Sequence, residues 1–318
     1  LLLENNMSIV VYHKSTNLEY QQGILKNLYQ TLKDKGKNIT YWEGDSHFQA
    51  DVAVIFGSWK KVKVPEGEEI PDSVKHHVLK NNIIRQQGNK PTVVIETPLL
   101  GRKITDKHQQ HRFGLNHFMY KLADFKNNNS KSDRFDKLGL KIKKWRKPTD
   151  DGHILIACQN LNDASLFGLN YTWWLDNTIH HLLKRTKRKI VVRDHPENKT
   201  KLLDFLNKSF MIHTKQVEYQ NIGTIQEALK GAHCVVTYSS GSSIDSILEG
   251  VPVIPGSEYN FVYDISSHSL DDIENPKLGD RKQLLYNLAY AQWSVEEIQN
   301  GTAWEHLFNE NNRNNHLE

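Results

Sequence analysis

The stretch Val235–Ile254, VVTYSSGSSIDSILEGVPVI, decides the fold. It reads as a buried strand over Cys234–Tyr238, a loop over Ser239–Ser243, a helix over Ile244–Glu249, a cap position at Gly250 and a second strand over Val251–Ile254. Strand, helix and strand in so short a run is the crossover that parallel strands require, since a tight turn can join only antiparallel ones. The loop SSGSS therefore stands at the carboxyl end of a parallel strand, where open α/β sheets receive their ligands. Serines commonly cap helices, but four of them with a glycine exceed what one cap needs. Hydroxyl donors, a glycine that admits close approach and the N–H groups of a helix start together make an anion cradle, with phosphate the expected guest.

Upstream, Lys189–Arg193 (KIVVR) is a strand that runs straight into Arg193-Asp194-His195-Pro196. Arg193 can bridge two phosphate oxygens, and an imidazole N–H of His195 can donate to the same group. Pro196 fixes the turn and keeps His195 off the helix that follows. A strand-end histidine alone would more simply be tied to a carbonyl; paired with the serine loop 44 residues later, it points to one shared ligand-binding edge. Gln159, after the strand His153–Cys158 (HILIAC), begins the same edge and can reach the ligand or form a polar turn. Tyr263, in the loop that follows VPVI, can reach a nucleobase or ribose.

The same rhythm fills the first half. Strands are predicted at Ser8–Tyr12, Asn38–Trp42, Asp51–Phe56 and Pro91–Ile95, with helices at Tyr20–Lys35 and Ser73–Gln87. Continuous β-branched runs between helices argue for parallel sheets covered on both faces. Thr105–Pro148 breaks the rhythm and reads as loops and short helices leading to a hinge near Pro148–Gly152. Helices are expected at Trp173–Lys184, Lys199–Asn207 and Thr224–Lys230, the last opening on a capping-box spacing of Thr224 and Glu227. Asp280–Leu307 reads as one long helical tail. The division expected is 7–148, 149–290 and a tail, 291–314, that packs back on the first domain. Leu1–Asn6, too short and wrongly charged for a signal peptide, and the asparagine-rich end are set outside the fold.

Composition bounds the function. Of 318 residues, 38% are hydrophobic and 25% charged, which excludes wholesale disorder. No apolar run approaches the roughly 20 residues of a membrane-spanning helix. Two cysteines cannot build a disulfide framework or a cysteine-based zinc site, and they suit a reducing cytoplasm. A net charge of +4 is low for a purely electrostatic nucleic-acid binder, although a local basic face is compatible with it. The sixteen histidines show no metal-binding spacing, so no metal is expected.

Strand–His-Pro followed by strand–serine loop–helix–GVPVI resembles the nucleotide-binding domain of glycosyltransferases of the GT-B fold. The likeness is to capsule-polysaccharide-type transferases and to phage enzymes that glycosylate DNA bases. Weaker echoes lie in His111–Phe125, Ser132–Arg146 and Ala289–Trp304. The resemblance implies an α/β chain of two Rossmann-like domains facing across a cleft. It implies that Arg193, His195, Ser239, Ser240, Ser242, Ser243, Gln159 and Tyr263 hold a nucleotide sugar, a UDP-sugar by preference or a CMP-sugar, with no prosthetic group. Only Asp245 and Glu249 stand where retaining members carry a spaced glutamate pair, so an inverting reaction is expected.

An inverting transferase needs a carboxylate to take the acceptor proton. Glu96, at the end of PTVVI, is the first candidate beside His195 as a catalytic residue, with Asp124 and Asp133 in reserve. The resemblance suggests a 5-hydroxymethylpyrimidine of phage DNA as acceptor, in a host cytoplasm, held by Arg102, Arg112, Lys144, Trp145 and Arg146. Basic residues interleaved with an aromatic suit phosphate contact and stacking, and an acidic glycan would be served equally well. A surface-glycan transferase and a nucleotide-sugar epimerase of the same design are the alternatives.

Overall fold

The computed structural model describes residues 7–63, 65, 67–102, 107–199, 201–209 and 214–309. The segment Leu1–Asn6, Lys103 and the tail from residue 310 lie outside the described residues. The chain divides into two compact units: the first holds residues up to 118, 122–138 and those from 286 on, and the second holds 119–121 and 139–285.

The first unit contains β1 (Ile9–Tyr12), α1 (Glu19–Asp34), β2 (Ile39–Trp42), β3 (Val52–Phe56), α2 (Asp72–Gln87), β4 (Thr92–Glu96), β5 (Gln110–Leu115) and α3 (Asp133–Lys137). With β11 (Gln292–Ser294) from the end of the chain, its six-stranded sheet has the order β11-β5-β4-β3-β1-β2. The strands β1 to β4 are parallel and β5 is antiparallel to β4. Every residue of β3 is buried, as a strand covered on both faces requires. Leu25, Leu28 and Leu32 of α1 pack on Val52, Val54 and Phe56 in one core. Burial of each such side chain contributes about 1.5–3 kcal/mol.

The second unit contains β6 (His153–Ala157), α4 (Tyr171–Arg185), β7 (Ile190–Arg193), α5 (Lys201–Lys208), β8 (Val217–Gln220), α6 (Ile225–Ala228), β9 (Ala232–Thr237), α7 (Ser242–Leu248) and β10 (Val253–Pro255). Its sheet, β10-β9-β6-β7-β8, is parallel throughout. Thr224 and Glu227 close the expected capping box at the start of α6.

Two stretches differ from the sequence reading. The expected long terminal helix is α8 (Lys282–Ala289), β11 (Gln292–Ser294), α9 (Val295–Gln299) and α10 (Thr302–Phe308). β11 interrupts it by pairing antiparallel with β5, Ser294 forms a capping box with Glu297, and Gly301 takes φ 87°, which ends α9. Pairing with β4 on one side and β11 on the other makes a strand of Gln110–Leu115, a run with too little β-branched character to announce itself.

Candidate functional site

The register of the second sheet brings its strand ends level. Ala157 pairs with Arg193, Arg193 with Gln220 and Pro255 with Thr237. Because β6 lies between β7 and β9, the residues after β7 and after β9 stand two strand spacings apart, roughly 10 Å. The chain leaves β6 towards β7 on one side and returns to β9 on the other, so the loops after β6 and β9 flank the topological switch point.

A polar network fills that point. Gln159 is buried; its Oε1 accepts the Ser239 N–H at 2.7 Å, and its Nε2 donates to Ser165 Oγ at 3.0 Å and Ser239 Oγ at 3.1 Å. Ser239 Oγ lies 3.0 Å from the Ser165 carbonyl. Asn198 donates to the Gln159 carbonyl and to Asp194 Oδ1, each at 2.8 Å. Asp194 also accepts the His195 N–H at 2.7 Å and the Tyr219 hydroxyl at 2.8 Å. One chain of hydrogen bonds thus joins the His-Pro turn, the loop after β6 and the serine loop.

His195 is held by this network without being sealed in it. Its Nδ1 accepts the Glu197 N–H at 3.2 Å, which places the proton of the neutral ring on Nε2 and makes that atom a donor. Across the edge, Ser242 Oγ lies 3.0 Å from Ser240 Oγ, and both residues are partly exposed at the start of α7. The aromatic ring of Phe167, 47% exposed, meets Tyr259 edge-on at 5.4 Å in the neighbouring loops. Phe167 was not singled out from the sequence; it sits at φ 51°, a conformation that propensity does not foresee for phenylalanine.

Other expected donor-site residues have work inside the fold. Arg193 is 9% exposed and donates to the Ile222 carbonyl at 2.8 Å and the Gly223 carbonyl at 2.6 Å, so its guanidinium braces the loop after β8. Gln159 and Ser239 bond each other, and Ser243 Oγ lies 2.9 Å from both the Ser240 carbonyl and Asn260 Oδ1. Tyr263 stacks on His268 at 3.8 Å and lies 4.5 Å from Lys121 Nζ, which commits its ring within the second unit. Each of these five makes its contacts within the second unit.

Several of the expected acceptor residues also have partners within the fold. Arg112, buried in β5, donates from Nε to the Thr97 carbonyl at 2.7 Å and from Nη1 to the Phe118 carbonyl. Lys144, Trp145 and Arg146 belong to the second unit rather than the first. Their strand-like strap lies along the end of α7: Lys143 N donates to the Leu248 carbonyl at 2.9 Å and Arg146 N to the Gly250 carbonyl at 2.8 Å. Gly250 has φ 78°, and a Cβ there would fall 2.1 Å from the Lys144 carbonyl oxygen, so glycine is needed for this contact. Trp145 is covered by the Arg281 guanidinium at 3.9 Å. Arg102 is exposed.

Glu96 stands at the end of β4, with its carboxylate bonded to the backbone. It accepts the N–H groups of Ser58 and Thr97, the latter at 2.7 Å. Burial opposes its ionisation, but Arg112, these two N–H groups and Lys80 outweigh that and hold the carboxyl below its ordinary range. Lys80, 2% exposed, donates to the Phe56 carbonyl at 3.1 Å, and burial pulls its pKa down to about 8. Of the reserve carboxylates, Asp124 pairs with Lys126 at 2.5 Å and Asp133 accepts the Tyr290 hydroxyl at 2.8 Å.

No protein-family model matches the chain, and no curated protein sequence does. Among solved structures, the chain is similar to the beta Kdo 2,4 transferase of Thermosulfurimonas dismutans KpsC, at TM-score 0.50 and 11% identity over 91% of this chain and 92% of that one. The fold is of the GT-B type. It is also similar to the beta Kdo 2,7 transferase of the same KpsC, at TM-score 0.47 and 14% identity over 92% and 97% of the two chains. A UDP-GlcNAc 2-epimerase from Methanocaldococcus jannaschii matches at TM-score 0.32 and 12% identity over 87% and 97%. Among the described residues, no helix is long and apolar enough to cross a membrane.

Proposed function

We propose that this protein is a glycosyltransferase whose second unit holds a nucleotide-sugar donor at the carboxyl edge of its sheet. The observation that carries the reading is the hydrogen-bonded chain from Asp194 through Gln159 to Ser239. It fixes a donor-competent His195 on one side of the edge and the hydroxyls of Ser240 and Ser242 on the other. That separation suits a diphosphate, or a phosphate with the sugar beside it, better than a single small anion. His195 Nε2–H and the two hydroxyls donate to the phosphate oxygens, where negative charge grows as the leaving group departs. Phe167 and Tyr259 offer rings for the base.

In the transfer, an acceptor hydroxyl oxygen bonds to the anomeric carbon while the bond from that carbon to the phosphate oxygen breaks. Its electron pair leaves with the nucleotide, and the hydroxyl proton is released to water. A UDP-sugar is the favoured donor and a CMP-sugar the other. A hydroxymethylated pyrimidine of DNA is one acceptor and a surface glycan the other, and both enter the test.

Calorimetric titration with UDP, CMP and their sugars, followed by assay of nucleotide release with neutral glycans, acidic glycans and hydroxymethylated DNA, tests the reading. Saturable nucleotide binding that weakens about 10- to 100-fold in His195→Ala supports it, the loss expected for a hydrogen bond to a charged group. If no nucleotide or nucleotide sugar binds, the proposal fails. Conversion of the donor sugar without any acceptor would reassign the protein as an epimerase.

A further inference from the structure

The first sheet has its own topological switch point, between β1 and β3, because the chain leaves β1 towards β2 and returns on the opposite side. Beside the carboxyl end of β1 lies a hollow of about 690 Å³. Pockets of roughly 300–1,000 Å³ are the usual size for small ligands. Its walls come from the turn His13–Ser15, the segment that follows it and the first turns of α2.

The chemistry of the lining selects the guest. Lys14 pairs with Asp45 at 3.0 Å and Lys75 with Asp72 at 2.6 Å, so the four lining charges are matched two by two. Asn17 Nδ2 donates to His76 Nδ1 at 3.1 Å, which leaves the proton of the neutral ring on Nε2. Burial and the nearby Lys80 draw His76 down to about 4, so the ring is neutral at pH 7. Thr16, Gln22 and Ser73 add neutral polar groups, while Ile70, Val78 and Leu79 add an apolar wall. Neutral donors and acceptors beside an apolar surface match the hydroxyls and the C–H face of a sugar ring. A polyanion such as DNA gains affinity from unpaired cations, and here each lining lysine already has its aspartate.

We propose that this hollow binds the acceptor as an uncharged, polyhydroxylated ring, the terminal residue of a neutral glycan. The proposal rests on the glycosyltransferase reading and narrows its acceptor class.

The test is saturation-transfer NMR and calorimetry on the full chain with methyl glucoside, methyl galactoside and methyl N-acetylglucosaminide. Methyl glucuronide and a hydroxymethylated DNA duplex are the charged comparisons, and UDP is titrated into the same samples. At least one neutral glycoside should bind saturably. Its affinity should fall at least 10-fold in Asn17→Ala and also in Ser73→Trp, which fills the hollow from an exposed position, while UDP affinity stays unchanged. Tighter binding of the glucuronide or the DNA overturns the proposal, as does glycoside binding that neither variant alters. If UDP binds and no neutral glycoside does, the acceptor class is wrong and the transferase reading stands. If UDP also fails to bind, the transferase reading itself falls.

Discussion

Each unit presents a switch point at the carboxyl edge of its parallel strands, and the two are built in opposite ways. In the second unit the point is filled: Gln159, Ser165 and Ser239 bond one another in the interior, while His195, Ser240 and Ser242 stay partly exposed. In the first unit the edge beside β1 stays open as a hollow with surface ion pairs, and its tight wiring lies at the end of β4, around Glu96. A buried polar network fixes a few outward groups rigidly, which suits a ligand whose charged part never varies. An open hollow lined by neutral groups leaves room for a partner that differs in shape.

The largest expected effect breaks the wired part of the first unit. Arg112→Met removes the chief cation beside Glu96 and two carbonyl contacts, and should cost about 3–5 kcal/mol in urea unfolding, as for other broken buried pairs. A loss below 1 kcal/mol would mean that Glu96 is free to act elsewhere. Gln159→Ala tests the second unit in the same way. It strands the Ser239 N–H, while the Ser239 hydroxyl keeps its Ser165 contacts, and should cost roughly 1–3 kcal/mol while also weakening nucleotide binding, because His195 and the serine loop lose their common anchor.

Acid separates the units by another route. His111 is fully buried, and desolvation holds its pKa down to about 4. Its folded value lies below the unfolded one, so the unfolded chain takes up the proton first. Stability is therefore complete above about pH 6.5 and falls towards pH 4, by on the order of 3 kcal/mol from this residue. His76 and His117, also held down to about 4, add to the trend in the same unit. Hydrogen exchange between pH 7 and 4.5 should show the first unit loosening first, and His111→Phe should flatten the dependence.

The smallest effects concern the outward groups. His195→Ala should leave unfolding within about 1 kcal/mol of the parent, since only one turn contact is lost, in contrast to its effect on nucleotide affinity. Ser240→Ala or Ser242→Ala should reduce that affinity by about 3- to 10-fold, the range of a single neutral hydrogen bond. Equal destabilisation by His195→Ala and Gln159→Ala would erase the distinction between frame and contact.

Much of this architecture is legible in local pattern. The buried runs at Val52–Phe56 and Cys234–Thr237, the Thr224–Glu227 box and Gly250 each state their structure, because strand burial, capping and positive φ are local demands. β5 and β11 are not legible, since β11 is a strand only because β5 lies beside it, and β5 gains its ladder from β4 on one side and β11 on the other. The candidate site divides along the same line. Its edge can be read from strand–loop–helix order, and His195 and the serines are found there. Which of them face outward cannot be read, because that depends on partners far along the chain.

The order of apolar runs and turn residues by itself determined two α/β units and where most of their parallel strands end, since periodicity and backbone conformation are properties of short segments. Only the tertiary structure decided that Arg193, Gln159, Ser239 and Arg112 face inward. A buried polar group must find a partner, and these four find theirs in residues their own segments do not contain.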